Sequence, residues 1–275
     1  MNASDADRDS NGMAAAQSLA LTPADIHLWL AFYDQVDAES MHAAYWALLN
    51  DAEKAQQARF HFARDRHRFL VTRALVRTVL SRYAPIHPRD WIFSTNAYGR
   101  PDVANVQASD AGLSFNISHT HSLIVLGVTR QRALGVDVEN FTAREVSIDI
   151  ANHYFAAPEV AALGTVPLHR QQYRFFEYWT FKESYIKARG MGLSLPLDKF
   201  SFHYAHDQAV DITIHPELAD DAARWQFWQF CPTQQYMVAV CAERVGAESS
   251  KLTVRQAVPL RDETLLSPTF LRTSA

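Results

Sequence analysis

Four stretches of the first half of the chain return in the second half, in the same order. This duplication limits the fold more than any other feature of the sequence. The strand-like IHLWLAFYD (26–34) is matched in character by ALGVDVEN (133–140), apolar alternation that ends on an acid. RFLVTRALVR (68–77) is answered by RFFEYWTFKE (174–183), DWIFS (90–94) by DKFSF (198–202), and SLIVLGVTR (122–130) by YMVAVCAER (236–244). The offsets run from roughly 106 to 114 residues, although identity between the copies is low. Each half reads as strand, helix and further strands, an order that lays helix on sheet in two layers. The expected fold is α+β, with two pseudo-symmetric subdomains at residues 21–131 and 132–246, joined near 130–133. A ligand site belongs in the cleft between them. Residues 1–20 read as a flexible N-terminal extension, and 247–275 as a weakly patterned C-terminal tail.

Composition narrows the classes. A chain of 275 residues, 48% apolar and 20% charged, is globular and can build a sizeable core. Its net charge of −4 argues against nucleic acid as a general partner. Cys231 and Cys241 form neither a disulfide framework nor a zinc pattern, so a reducing, cytoplasmic setting is expected. No run approaches the roughly 18 apolar residues of a membrane span. The acidic opening MNASDADRDSNGMAAAQ does not read as a signal peptide.

Four segments carry chemistry. In GVDVE, strand alternation puts Asp137 and Glu139 on one face and Val136 and Val138 on the other. Such a pair is either the wet face of a strand or two hard oxygen ligands, and Mg²⁺ needs only a few because it keeps water and phosphate oxygens. FNISHTHS clusters Asn116, Ser118 and His119 at the start of a buried strand. It lacks the companions of a serine–histidine triad, which leaves a structural turn or a set of donors to phosphate oxygens. RFHFARDRHRFLVTRALVR suits a helix burying Phe69, Val76, Leu80 and Tyr83. Arg66, Arg73 and Arg77 would lie mostly off that face, as a solvated surface or a groove for a polyanion; AYGRPD adds Arg100 in a tight turn. YWTFKESYIKARG places Glu183 beside Lys182 and four residues before Lys187. Read alone, that is an ordinary helical ion pair worth about 0.2–0.5 kcal/mol.

Taken together, FNISH, GVDVE and WTFKESYIK followed by GLSLPL resemble the Sfp-type 4′-phosphopantetheinyl transferases, with RHRFL and YGRP as upstream elements. The resemblance spans about residues 25–245. It implies a fold of two pseudo-symmetric α+β halves with the active site between them, in agreement with the repeat. It also implies a holo-[acyl-carrier-protein] synthase type activity. Phosphopantetheine passes from coenzyme A to a serine of an apo acyl or peptidyl carrier protein, and 3′,5′-ADP leaves. On that resemblance Asp137, Glu139 and Glu183 hold Mg²⁺, with Mn²⁺ as an alternative. Glu183 receives the serine proton directly or through water, and Lys187 neutralises the transferring phosphate. Arg68, Arg100, Ser118 and His119 contact coenzyme A together with Asp137 and Lys187. Lys54 and Arg59 stand as further contacts in a loosely matching stretch. Arg100 occupies a position where the family commonly has lysine, which keeps the charge and alters the geometry. Lys182 belongs to the motif without an assigned role.

Two other functions share these residues: a Mg²⁺-dependent hydrolase of nucleotide pyrophosphates, and a noncatalytic carrier-binding protein. Because the duplicated chain supplies both walls of the cleft, a monomer is expected, with no nucleic acid or membrane partner.

Overall fold

A computed structural model describes residues 18–143, 145–246 and 250–274. The first half runs β1 (Asp25–Phe32), α1 (Ala38–Leu48), α2 (Asp51–Ala58), α3 (Ala63–Leu80), β2 (Phe93–Thr95), β3 (Pro101–Val103), α4 (Val106–Asp110), β4 (Leu113–His119) and β5 (Leu123–Arg130). The second runs β6 (Leu134–Asn140), α5 (Asp149–Tyr154), α6 (Ala157–Gly164), α7 (Leu168–Arg189), β7 (Phe200–His203), β8 (Asp211–Ile214), β9 (Trp225–Thr233) and β10 (Tyr236–Glu243). Three more strands follow: β11 (Lys251–Val258), β12 (Asp262–Leu266) and β13 (Phe270–Thr273).

The duplication is visible in the pairing. One sheet has the order β12-β11-β1-β5-β4 and the other β13-β9-β10-β6. Within them, β1-β5-β4 repeats as β6-β10-β9, all antiparallel. The hairpins β2-β3 and β7-β8 repeat beside them. Strand alternation then builds the layers. On β1, Ile26, Leu28 and Leu30 enter a core between the two sheets, while Trp29 and Ala31 face the core beneath α3. On β10, Val238 and Val240 enter the shared core, while Met237, Ala239 and Cys241 pack towards α7. The order is α3, sheet, sheet, α7. Both central strands are buried on both faces, which is why β5 and β10 read as continuous apolar runs. The halves therefore share one core.

Three expectations are corrected. The stretch 247–275, read as a tail, contributes strands to both sheets: β11 lies parallel to β1, β12 pairs with β11, and β13 pairs with β9. Its weak patterning reflects mostly half-buried positions without alternation, with Val254 reaching the shared core. The last residues of the supposed extension are tied down, since the Leu19 N–H donates to the Arg82 carbonyl at 2.7 Å. Residues 1–17 of that expected extension lie outside the described residues. The arginines of α3 do not form an open basic face. Arg77 is fully buried, donating to Glu53 Oε2 at 2.8 Å and to the Pro88 and Trp91 carbonyls. Arg73 lies 3.6 Å from Glu53, and Arg66 donates to the Phe60 and His61 carbonyls. A buried charge persists only when paired, and Glu53 supplies the pair. No described helix is long and apolar enough to cross a membrane.

Candidate active site

Strand β6 and helix α7 touch at Gly135. A Cβ there would meet the Ser184 carbonyl oxygen at 1.9 Å and the Ala188 nitrogen at 2.4 Å. Both are backbone atoms, so no rotamer change could relieve the clash. The missing side chain lets the helix lie directly on the strand. Glu183 and Lys187, one turn apart, are thereby brought to the face of β6 that carries Asp137 and Glu139. Val136 and Val138 point the other way, into the core between the sheets.

Asp137 is 4% exposed and forms the centre of the cluster. Its Oδ1 accepts from Lys187 Nζ at 2.6 Å and from Ser118 Oγ at 2.9 Å. Lys187 also donates to Ser118 Oγ at 2.9 Å, closing a triangle. Asp137 Oδ2 is buried without a hydrogen-bond partner. Glu139 accepts from Trp179 Nε1 at 3.2 Å. The Glu183 carboxyl is pushed up to about 7, first by burial and then by the negative charge of Asp137, with Lys187 opposing.

An orphaned carboxylate oxygen beside a second, charge-strained carboxyl is the setting a hard divalent cation relieves. Among the described residues, however, no group of three or more His, Cys, Asp or Glu side chains is arranged to hold a metal by itself. A Mg²⁺ held by these carboxylates would have to complete its shell with water and substrate oxygens.

The cationic groups around Asp137 come from both halves. His119 is the last residue of β4 and stays open to solvent, yet protein surrounds enough of its ring to matter. Burial, followed by the positive charges of Arg68 and Lys187, pulls it down to about 4, so it is neutral at pH 7. Arg68 is held loosely, 3.4 Å from Asp65.

Other expected contacts have different partners. Arg100 NH1 donates to the carbonyls of Lys187 at 2.9 Å and Ala188 at 3.3 Å, and Asn96 Nδ2 donates to Gly190 O at 2.8 Å. These bonds satisfy the open carbonyls at the end of α7 and fasten the β2-β3 hairpin to it. The Ser118 hydroxyl is likewise committed to Asp137 and Lys187. Lys54 lies 3.9 Å from Asp51 and over the Trp46 ring, and Arg59 is the exposed residue ending α2; these contacts do not join the Asp137 cluster.

Lys182, left without a role, turns away from the Asp137 cluster. It is fully buried, 2.7 Å from Glu159 Oε2, and donates to the Leu197 and Phe200 carbonyls at 2.7 Å each. It clamps the GLSLPL segment against α7. Sequence reasoning also passed over Asn116 and Thr120 as a pair. Asn116 Oδ1 accepts from the Val136 N–H at 2.9 Å, Ser118 Oγ from Val138 at 3.2 Å, and Thr120 Oγ1 from Asn140 at 3.3 Å. The polar residues at every second position of NISHT were the available signal.

Comparison with known proteins gives two matches in tandem. Residues 37–131 match the family described as 4′-phosphopantetheinyl transferase, N-terminal, and residues 133–241 match the 4′-phosphopantetheinyl transferase superfamily. The 4′-phosphopantetheinyl transferase HetI of Nostoc is 28% identical, covering 83% of this chain and 92% of its own. The 4′-phosphopantetheinyl transferase Sfp of Bacillus subtilis is 30% identical, covering 77% and 89%. A further 4′-phosphopantetheinyl transferase from Bacillus subtilis is 33% identical, covering 70% and 81%.

Proposed function

The chain belongs to the 4′-phosphopantetheinyl transferase superfamily, and we propose that it modifies carrier proteins as a holo-[acyl-carrier-protein] synthase type enzyme. The phosphopantetheine arm of coenzyme A passes to a serine of an apo acyl or peptidyl carrier. The serine oxygen bonds to the β-phosphorus of the pyrophosphate, the P–O bond to the adenosine side breaks, and 3′,5′-ADP leaves with that electron pair. The nucleophile belongs to the partner, which explains a chain without a serine–histidine triad motif. What remains for the enzyme is positioning and charge neutralisation.

The observation that carries this reading is the Asp137–Ser118–Lys187 triangle with Glu183 beside it and one carboxylate oxygen unpaired. Glu183, buried beside the charge of Asp137, is the group to take the serine proton directly or through a water. Lys187 brings an ammonium to the transferring phosphate. Asp137 and Glu183, with Glu139 on the same strand face, would hold Mg²⁺ or Mn²⁺, which when bound supplies charge neutralisation on the pyrophosphate. Arg68 and the neutral His119 are suited to the phosphate of the nucleotide end. The enzyme works as a cytoplasmic monomer in this reading.

Intact-mass spectrometry of a panel of apo carriers, incubated with coenzyme A and Mg²⁺, tests it. One added phosphopantetheine per carrier is the expected result. Cleaved coenzyme A with unmodified carriers would favour a pyrophosphate hydrolase, and intact coenzyme A throughout would leave a noncatalytic carrier-binding protein.

A further inference from the structure

The two sheets meet along one side through strands that are both sheet edges, β4 and β6. On β6 the register with β10 leaves the N–H groups of Val136, Val138 and Asn140 on the outer edge, where no strand pairs with them. An edge of this kind is ordinarily a liability. Here each of the three groups is taken by a side chain: Asn116 Oδ1, Ser118 Oγ and Thr120 Oγ1, every second residue from β4 onward. The acceptors alternate with the same period as the donors. The three bonded amides bracket Asp137 and Glu139, one before, one between and one after.

We propose that Asn116, Ser118 and Thr120 form a side-chain seam that positions the β6 carboxylates, and that Asn116 and Thr120 are positioning residues for the transfer reaction. The inference rests on the catalytic reading given above. A side-chain seam differs from a backbone ladder in one useful way. It fixes the height and rotation of β6 against β4 without merging the two sheets. Asp137 thereby gains a fixed backbone on both sides, in addition to the Ser118 hydroxyl at 2.9 Å. The only groups in the seam that also touch the reacting centre are those of Ser118, so Asn116 and Thr120 act through β6.

Thr120→Val is nearly isosteric and removes the acceptor, whereas Thr120→Ser keeps it. Asn116→Leu and Asn116→Asp make the same comparison at the other end. Transfer kinetics, the Mn²⁺ dissociation constant by electron paramagnetic resonance, and melting temperature are measured for all four. The expected result is a fall in kcat of about tenfold or more for Thr120→Val and Asn116→Leu, in line with the loss expected when positioning slips. KM for coenzyme A stays within about twofold, Mn²⁺ binding weakens severalfold, and the Ser and Asp variants recover most of both losses. Lowered melting temperatures with wild-type kcat and Mn²⁺ affinity would reduce the seam to a structural feature and overturn the proposal. So would equal losses in the acceptor-keeping variants. If wild type itself fails to modify any carrier, the catalytic reading has failed, and the Mn²⁺ affinities still decide whether the seam holds the carboxylates.

Discussion

Glu183 and Asp137 differ in what their loss should do, although both are acids of one cluster. Glu183→Gln keeps shape and one oxygen but gives up the proton acceptor. Its transfer rate should fall by about 10²–10⁴, with little recovery on adding Mg²⁺. Asp137→Asn removes the charge beside the orphaned oxygen, so excess Mg²⁺ or Mn²⁺ should partly rescue it. A metal titration of both variants checks the contrast, and equal rescue would contradict it. A second titratable group lies far from this chemistry. His27 is 6% exposed, with Nδ1 2.9 Å from the Tyr83 hydroxyl, which already accepts from Trp29 Nε1. The Tyr83 O–H is then free to donate to a neutral His27. Burial first, then the charge of Arg255, brings His27 down to about 4 from 6.5, against the pull of Asp25. The folded protein refuses a proton that the unfolded chain accepts. The associated stability is therefore full above pH 6.5 and lost as pH falls towards 4, by at most about 3 kcal/mol. Urea unfolding at pH 7 and pH 5 should show a larger loss in wild type than in His27→Gln. Equal losses would mean that this ring does not drive the acid response.

At the scale of elements, α7 is the part on which the site depends, and it is held from three directions. Gly135 admits it to β6, Arg100 and Asn96 fasten its C-terminal end, and Lys182 ties its far side to the segment before β7. Gly135→Ala should displace the helix, because the added carbon meets its backbone. The expected loss is about 1–3 kcal/mol or more of stability, and transfer activity should drop further than stability alone explains. Wild-type kcat in a folded Gly135→Ala protein would show that the close approach is dispensable. Lys182→Met poses a different problem, since it leaves Glu159 buried and without its cation. Breaking such a pair costs about 3–5 kcal/mol, whereas Lys182→Met with Glu159→Gln should lose less than the single change. Thermal melts of the two proteins decide whether the pair, or only the space it fills, matters.

The whole molecule is closed by its last strands. β11 runs beside β1 from Asp25 opposite Lys251 to Leu30 opposite Gln256, Tyr45 donates to the Pro259 carbonyl, and Arg272 is paired with Glu177 at 2.8 Å. A chain ending at Gly246 should lose cooperative melting by circular dichroism, because β1 becomes an open edge and Glu177 keeps only Arg174. Cooperative unfolding near the wild-type temperature in that truncation would show the added strands to be accessory.

Taken alone, the sequence determined the duplicated α+β plan, the facing of Asp137 and Glu139 away from Val136 and Val138, and the family to which the motifs belong. These follow from local period and residue type, which survive without any knowledge of distant partners. Only the tertiary structure decided which cations are free and which are committed. Lys182 and Lys187 sit five residues apart on one helix, and nothing local says that one is sealed against Glu159 while the other reaches Asp137. Arg77 likewise turned from a prospective polyanion contact into a buried group paired with Glu53, while Arg100 also reaches the end of α7, through partners far along the chain. Strands β11 to β13 were missed for the same reason. A strand that is mostly half-buried or exposed shows little hydrophobic pattern until the sheet it completes is in place.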